Sequence, residues 1–366
     1  MQDAFHMKQA IELAKKGMGF VNPNPLVGAV IVKDGLVIGR GWHEYFGGPH
    51  AEVNAIKDAN GNTESATIYV SLEPCSHYGK TPPCSLEIIR NKFSRVVIGC
   101  NDPNPLVAGQ GIEMIRNAGI EVHVGILEKE VKELNEAFFK FIRTKLPFVV
   151  MKTAMSLDGK IATKTGDSKW ISGDKSRQTV HQLRNQYSGI MVGINTVIKD
   201  DPLLSVRNIN GKTKHPIRII VDSNARIPLE AKILNSPEIA PTIIAVTNQA
   251  TEEKLRKLRD KEIQVIVCPE KNARVDLRFI MQELAKQNID SILLEGGGTL
   301  NFEALQEEIV DKVIAFIAPK IIGGAEALTA VEGSGISSLA DVIELENLRT
   351  IQSGEDIMLE AYLKRK

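Results

Sequence analysis

The residues with the plainest chemistry lie between positions 50 and 84. His50-Ala51-Glu52 opens a stretch of helical spacing, Pro74-Cys75 ends an apolar strand-like run, and Cys84 opens another helical run behind Pro83. One imidazole and two thiolates are the donors zinc prefers, and three protein ligands leave a fourth position for water, as in a catalytic site. Zinc lowers the pKa of such a water toward about 7. A helix N-terminus favours the thiolate form of Cys84. Glu52 lies two residues from His50, roughly 200° around a helix, so it suits a proton shuttle better than a fourth ligand. It would take a proton from the water and deliver it to a leaving amine, the logic of nucleobase deaminases with their His-x-Glu and Pro-Cys signature. Taken singly, His50 is an ordinary helix-start residue and the cysteines are small buried residues. A structural zinc site would need a fourth donor, for which His43 and His77 are the candidates. The spacing departs from the deaminase pattern: residues 76–83 separate the cysteines where that pattern has two residues.

A second constellation is SILLEGGGTLNFEAL (291–305), a strand running through glycines into a helix. Glycines let backbone N–H groups approach an anion, and the helix N-terminus adds a favourable field. Alone, a glycine triplet is also consistent with a tight turn. It is not the G-x-G-x-x-G of dinucleotide-binding Rossmann folds.

These residues need elements to hold them. Residues 5–17 have helical spacing, and 26–42 form two apolar runs around Asp34-Gly35, a strong hairpin signal. A helix over 50–59, a strand over 67–75, a helix over 83–92 opened by proline, a strand over 95–100, a helix over 111–119 and a strand over 120–126 follow. The alternation predicts an α/β layered unit over residues 1–145. The charged stretch before Pro147 marks a junction within 140–156. Strands are expected beyond it at 148–155, 190–194, 217–221, 242–246, 264–267, 291–295 and 312–317, with helices between them. The second domain therefore spans 146–366.

Bulk properties narrow the field. A chain of 366 residues fits two domains at roughly 150 residues each. With 43% apolar and 25% charged residues it is neither disordered nor collagen-like. Lys+Arg and Asp+Glu are both 45, so the basic excess of a nucleic-acid binder is missing. No run of about 18 apolar residues suggests a membrane span, and the polar N-terminus lacks a secretory signal's apolar region. Four cysteines cannot form a disulfide framework, which points to metal chemistry in a reducing cytoplasm.

PCSHYGKTPPC (74–84), NPLVGAVIV (24–32) and NDPNPLVAGQG (101–111) resemble the deaminase half of the bifunctional riboflavin-biosynthesis deaminase/reductases. MKTAMSLDGKIAT (151–163) and LLEGGGTLN (293–301) resemble the reductase half, and the matches run in the family's order. The resemblance implies a cytidine-deaminase-like α/β/α domain followed by a dihydrofolate-reductase-like α/β domain. The first would remove the C2 amino group of 2,5-diamino-6-ribosylamino-4(3H)-pyrimidinone 5′-phosphate, using one zinc ion (Zn2+) per chain. The second would use NADPH to reduce the ribosyl group of 5-amino-6-(5-phosphoribosylamino)uracil to ribityl.

The resemblance also assigns residues. Asn24, His43, His77, Lys80 and Asn104 would hold the deaminase substrate, and Ser168, Arg184, Leu204, Arg207 and Glu295 the reductase substrate, with Arg184 and Arg207 suited to a phosphate. Lys152 and Asp200 match the polar pair beside the reacting carbon, either of which can give or relay a proton. Ala154, Trp170, Thr196, Asp200, Ser223, Gly297, Gly298, Thr299, Leu300, Asn301, Phe302 and Glu303 would contact the dinucleotide, whose identity as NADP rather than NAD comes from the resemblance alone. A homodimer or homotetramer built through the reductase domain is expected on the same ground. The sequence leaves two rivals: a zinc deaminase acting on nucleic-acid bases, and a non-catalytic module that binds zinc and a nucleotide.

Overall fold

Asp34 and Gly35 both take positive φ (51° and 76°), closing β1 (Gly28–Lys33) and β2 (Leu36–Trp42) into an antiparallel hairpin. The computed structural model describes residues 2–78, 82–104 and 108–365. The chain divides into two compact units, Met1–Lys145 and Leu146–Lys366.

In the first unit the hairpin joins β3 (Thr67–Leu72), β4 (Arg95–Cys100) and β5 (Glu121–Val124) in the order β2-β1-β3-β4-β5. The β1–β3 pair is antiparallel; β3–β4 and β4–β5 are parallel. Side chains alternate across a strand, so each face receives its own layer. On one face Ile31, Ile68, Val70, Val96 and Ile98 meet α2 (Ala51–Asp58), α3 (Cys84–Arg90) and α4 (Gln110–Asn117). On the other, Val30, Tyr69 and Val97 meet α1 (Gln2–Ala14), α5 (Glu128–Leu134) and α6 (Glu136–Thr144). The expected α/β/α layering is what forms.

The second unit is built on β6 (Phe148–Ser156), β7 (Gly189–Gly193), β8 (Ile217–Val221), β9 (Thr242–Val246), β10 (Gln264–Val267), β13 (Ser291–Leu294) and β14 (Lys312–Ala318). These are parallel throughout. Parallel strands covered on both faces become near-continuous apolar runs, as in residues 219–221 and 243–246. An antiparallel pair, β15 (Leu345–Ser353) and β16 (Asp356–Leu363), completes the nine-stranded sheet at one edge, with the order β10-β9-β8-β7-β13-β6-β14-β16-β15. Two short strands, β11 (Glu270–Lys271) and β12 (Arg274–Val275), pair apart from it. One face packs on α10 (Leu277–Lys286) and α11 (Gly298–Gln306), the other on α8 (Ile194–Asp200) and α9 (Glu252–Arg259); α7 (Asp174–Gln186) precedes β7.

The structure departs from the sequence reading in several stretches, among them the short β11–β12 pair, which lies where a helical connection was expected. Residues 140–144, read as part of a junction, still belong to α6, whose Phe138, Phe139 and Phe141 are buried. The closing hairpin β15–β16 was not anticipated.

Candidate active sites

His50 is the N-cap of α2 and makes no capping hydrogen bond, so its imidazole is free to turn away from the helix. It turns toward Cys75, in the segment after β3, and Cys84, the first residue of α3. His50 Nδ1 lies 3.6 Å from Cys75 Sγ and 3.3 Å from Cys84 Sγ, and the three donor atoms fall within 4.8 Å of one another. The start of α3 also holds Cys75 directly: the Cys84 N–H donates to Cys75 Sγ (3.3 Å) and the Ser85 N–H to the Cys75 carbonyl (3.2 Å). Hydrogen bonding from Cys84 and His50 pulls the Cys75 thiol down to about 4, while its partnership with Cys75 pushes His50 up to about 9. Cys75 and burial together push the Cys84 thiol up. Three soft donors converging around shared protons are the set that a zinc ion suits. Glu52 is 3% exposed beside them, its carboxyl raised chiefly by burial, with the Cys84 thiol as neighbour. A carboxyl with a raised pKa is suited to carrying a proton.

His43 is buried and stacks edge-on to His50, ring centroids 5.5 Å apart. The Pro49 carbonyl can only accept, so Nδ1 of His43 carries the hydrogen it shares with it (3.0 Å). Nε2 then accepts from Asn24 Nδ2 (3.1 Å), in keeping with a pKa that burial lowers. Asn24 is steadied through its neighbour Leu26, whose N–H and carbonyl are both taken by the buried Asn135 side chain (2.7 and 3.1 Å). His77 is exposed. Asn104 donates its N–H to Asp102 Oδ1 (2.8 Å). Lys80 lies outside the described residues. Glu73 and Asn135 were missed in the sequence, because a buried Glu or Asn has no spacing signature.

In the second unit the candidates fall into two groups that meet just after β13. Glu295, its side chain 9% exposed, accepts from Arg184 Nε (2.7 Å) and Nη2 (2.9 Å), while Lys152 Nζ stands 3.0 Å away. Despite its burial, the guanidinium of Arg184 and the ammonium of Lys152 hold this carboxyl well below the usual range. Lys152 sits within β6 with a side chain 13% exposed, so it is not a water-facing lysine. Arg184 bonds Glu295 and also donates from Nη1 to the Ser205 carbonyl (3.2 Å). The adjoining segment carries buried Leu204 and Arg207, whose N–H donates to His181 Nδ1 (3.3 Å).

The other group lines a cavity of about 570 Å³ at the carboxyl ends of the strands: Ser168, Thr196, Asp200, Ser223, Gly297–Leu300 and Glu303. Four expected contacts are not on its wall. Asn301 is buried and donates to the carbonyls of Gly296 (3.2 Å) and Ala330 (2.8 Å), tying the glycine turn from behind. Phe302 is buried in the same helix, because successive positions of α11 turn away from the cavity. Ala154 lies within β6, paired with Phe316, and Trp170 is exposed under the Arg177 guanidinium. Sequence reasoning missed Lys199, Arg226 and Arg274, which line the cavity.

Comparison with known proteins agrees with this division. Residues 1–100 match the cytidine and deoxycytidylate deaminase zinc-binding region, and residues 147–359 match the RibD C-terminal domain. The riboflavin biosynthesis protein RibD of Actinobacillus pleuropneumoniae is 47% identical over 360 residues, covering 98% of this chain and 95% of its own. That of Escherichia coli is 38% identical over 370 residues, covering 98% and 99%. The solved structure of Acinetobacter baumannii RibD has a TM-score of 0.89 at 39% identity, covering 100% of this chain and 99% of its own. A Thermotoga maritima structure has a TM-score of 0.86 at 40% identity, with 99% of each chain covered. Fold and sites thus define a two-domain enzyme, a zinc-binding deaminase domain followed by a reductase domain. The chain belongs to the RibD family, the bifunctional deaminase/reductases of riboflavin biosynthesis.

Proposed function

We propose that the N-terminal unit hydrolyses the C2 amino group of 2,5-diamino-6-ribosylamino-4(3H)-pyrimidinone 5′-phosphate. The C-terminal unit then reduces the ribosyl group of the resulting 5-amino-6-(5-phosphoribosylamino)uracil with NADPH. The Thermotoga maritima relative is named as a diaminohydroxyphosphoribosylaminopyrimidine deaminase/5-amino-6-(5-phosphoribosylamino)uracil reductase. The observation that carries the reading is the convergence of His50, Cys75 and Cys84 within 4.8 Å, with Glu52 buried beside them.

His50, Cys75 and Cys84 would hold zinc, which when bound makes water nucleophilic at neutral pH. Glu52 takes one proton from the attacking water and passes it to the departing nitrogen. A C2–O bond forms, the C2–N bond breaks, and ammonia leaves. Asn24, His43, His77, Lys80 and Asn104 orient the pyrimidine and its phosphoribosyl arm.

In the second unit NADPH, when bound, supplies the hydride. Thr196, Ser223, Gly297–Leu300 and Glu303 cradle the dinucleotide, and Ser168 on the same wall contacts the substrate. Lys199 and Arg226 on the cavity wall favour a ligand with an extra phosphate, hence NADPH over NADH, while Arg274 is paired with Glu303. Glu295 orients the Lys152 ammonium, and Arg184 keeps Glu295 in place. Lys152 and Asp200 are the two groups that can deliver a proton to the opening ribose; Leu204 and Arg207 hold the substrate arm. A reducing cytoplasm suits two thiolates that must stay unpaired. No helix among the described residues is long and apolar enough to cross a membrane.

A homodimer or homotetramer through the reductase unit is the assembly we favour. The edge strand β15 exposes Leu345, Leu348 (63% exposed) and Ile351, and an unpaired edge strand with exposed apolar side chains invites pairing with another copy. Sedimentation should give a dimer or tetramer that Ile351→Lys weakens; a monomer at micromolar concentration contradicts it. The function itself is tested by supplying the pyrimidine phosphate to the purified chain. Ammonia should appear first, followed by oxidation of NADPH; zinc-loaded protein that releases no ammonia overturns the reading.

A further inference from the structure

Glu73 stands two residues before Cys75, and its carboxylate is 4% exposed. Both oxygens are spent on another segment of the chain. Oε2 accepts from the N–H groups of Asp102 (3.2 Å) and Gly109 (3.1 Å), and Oε1 from those of Gly111 (3.2 Å) and Ile112 (3.4 Å). Its own N–H donates to the Cys100 carbonyl (2.9 Å). The start of α4 has no side-chain cap of its own at Gly109. A helix start leaves N–H groups without partners and favours negative charge, so Glu73 caps α4 from a strand end far away in sequence. The two segments also touch directly: a Cβ on Gly111 would lie 2.1 Å from the Pro74 carbonyl oxygen, so only glycine fits there. A relay continues from Glu73. It holds the Asp102 N–H, Asp102 Oδ1 accepts from the Asn104 N–H (2.8 Å), and the Asn104 carbonyl accepts from the Ala108 N–H (2.9 Å).

We infer that Glu73 is a positioning residue of the deaminase site, fixing the Asn104 segment against the Pro74-Cys75 segment so that substrate and metal ligands keep one spacing. The inference rests on the reading of Asn104 as a substrate contact. A carboxylate used only as a helix cap would affect unfolding and leave the KM alone, so the KM decides between the two roles.

The test uses the full-length zinc-loaded protein, with Glu73→Gln, Asn104→Ala and the double variant. Zinc content, reductase activity, and kcat and KM for deamination are measured in each. Glu73→Gln puts an amide donor where backbone N–H groups need an acceptor. It should keep zinc and reduction and raise the deaminase KM roughly tenfold or more, with a smaller change in kcat. In the Asn104→Ala background the same substitution should change KM far less. An unchanged KM, an undiminished effect in that background, or loss of zinc overturns the inference. If Asn104→Ala alone leaves KM unchanged, the substrate-contact reading fails and the relay fails with it. If Asn104→Ala raises KM and Glu73→Gln does not, only the role of Glu73 fails. Should Glu73→Gln not fold, Asp102→Ala breaks the relay while leaving the cap on α4 in place; a raised KM there supports the inference and an unchanged one overturns it.

Discussion

Glu295 is the residue on which the proposed reductase site turns. Its one carboxylate faces two cations in a place almost closed to water, and removing one partner of a buried ion pair leaves the others uncompensated, at a cost of about 3–5 kcal/mol. Glu295→Gln should therefore slow NADPH oxidation with the deaminated substrate roughly 100-fold or more, while ammonia release by the other unit stays unchanged. Undiminished reduction in a coupled assay would remove Glu295 from the mechanism. The grouping of His50, Cys75 and Cys84 was legible in the sequence because two cysteines, a His-x-Glu and a Pro-Cys form a rare combination. The Lys152–Glu295–Arg184 cluster was legible only as separate names. Arg184 and Glu295 lie 111 residues apart, and no local spacing announces that two candidates will neutralise each other. Asn301 and Phe302, part of the same contiguous motif, have side chains off the cavity wall, because a helix turns every side chain by roughly 100°.

At the scale of elements, α7 is tied to the 204–207 segment by Arg184 and by His181. Burial, then the neighbouring Arg184 and Arg207, depress His181 to about 4 from its ordinary 6.5. A lowered folded-state pKa means that the unfolded chain binds the extra proton first. The contribution of the neutral imidazole is therefore complete above pH about 6.5 and is lost as pH falls toward 4. Urea unfolding of the reductase unit should show stability dropping across that window, and His181→Asn should flatten the profile; an identical slope in the variant contradicts the assignment. Elements with strong local signals, such as the Asp34-Gly35 hairpin and the apolar parallel strands, could be read directly. The β15–β16 hairpin could not. Its first strand lies at the sheet edge, exposed from Leu345 to Gln352, and mixes Glu346 and Arg349 with leucines, so neither an alternating nor a continuous apolar pattern emerges. The end of α6 was hidden in the same way by Arg143, Thr144 and Lys145, which resemble a linker.

For the whole molecule, two compact units each carry a complete set of candidate groups: a soft-donor cluster with a buried carboxyl in one, a cavity and a buried ion-pair cluster in the other. Two chemistries on one chain then predict that each can be silenced alone. The most direct measurement compares Glu52→Gln with the unaltered protein for bound zinc, ammonia release and NADPH oxidation with deaminated substrate. The account predicts one zinc per chain and unaltered NADPH oxidation, with ammonia release reduced roughly 100- to 10,000-fold. Zinc lost together with the activity, or ammonia released at the original rate, would contradict the assignment of Glu52 as the proton carrier beside a three-residue metal site.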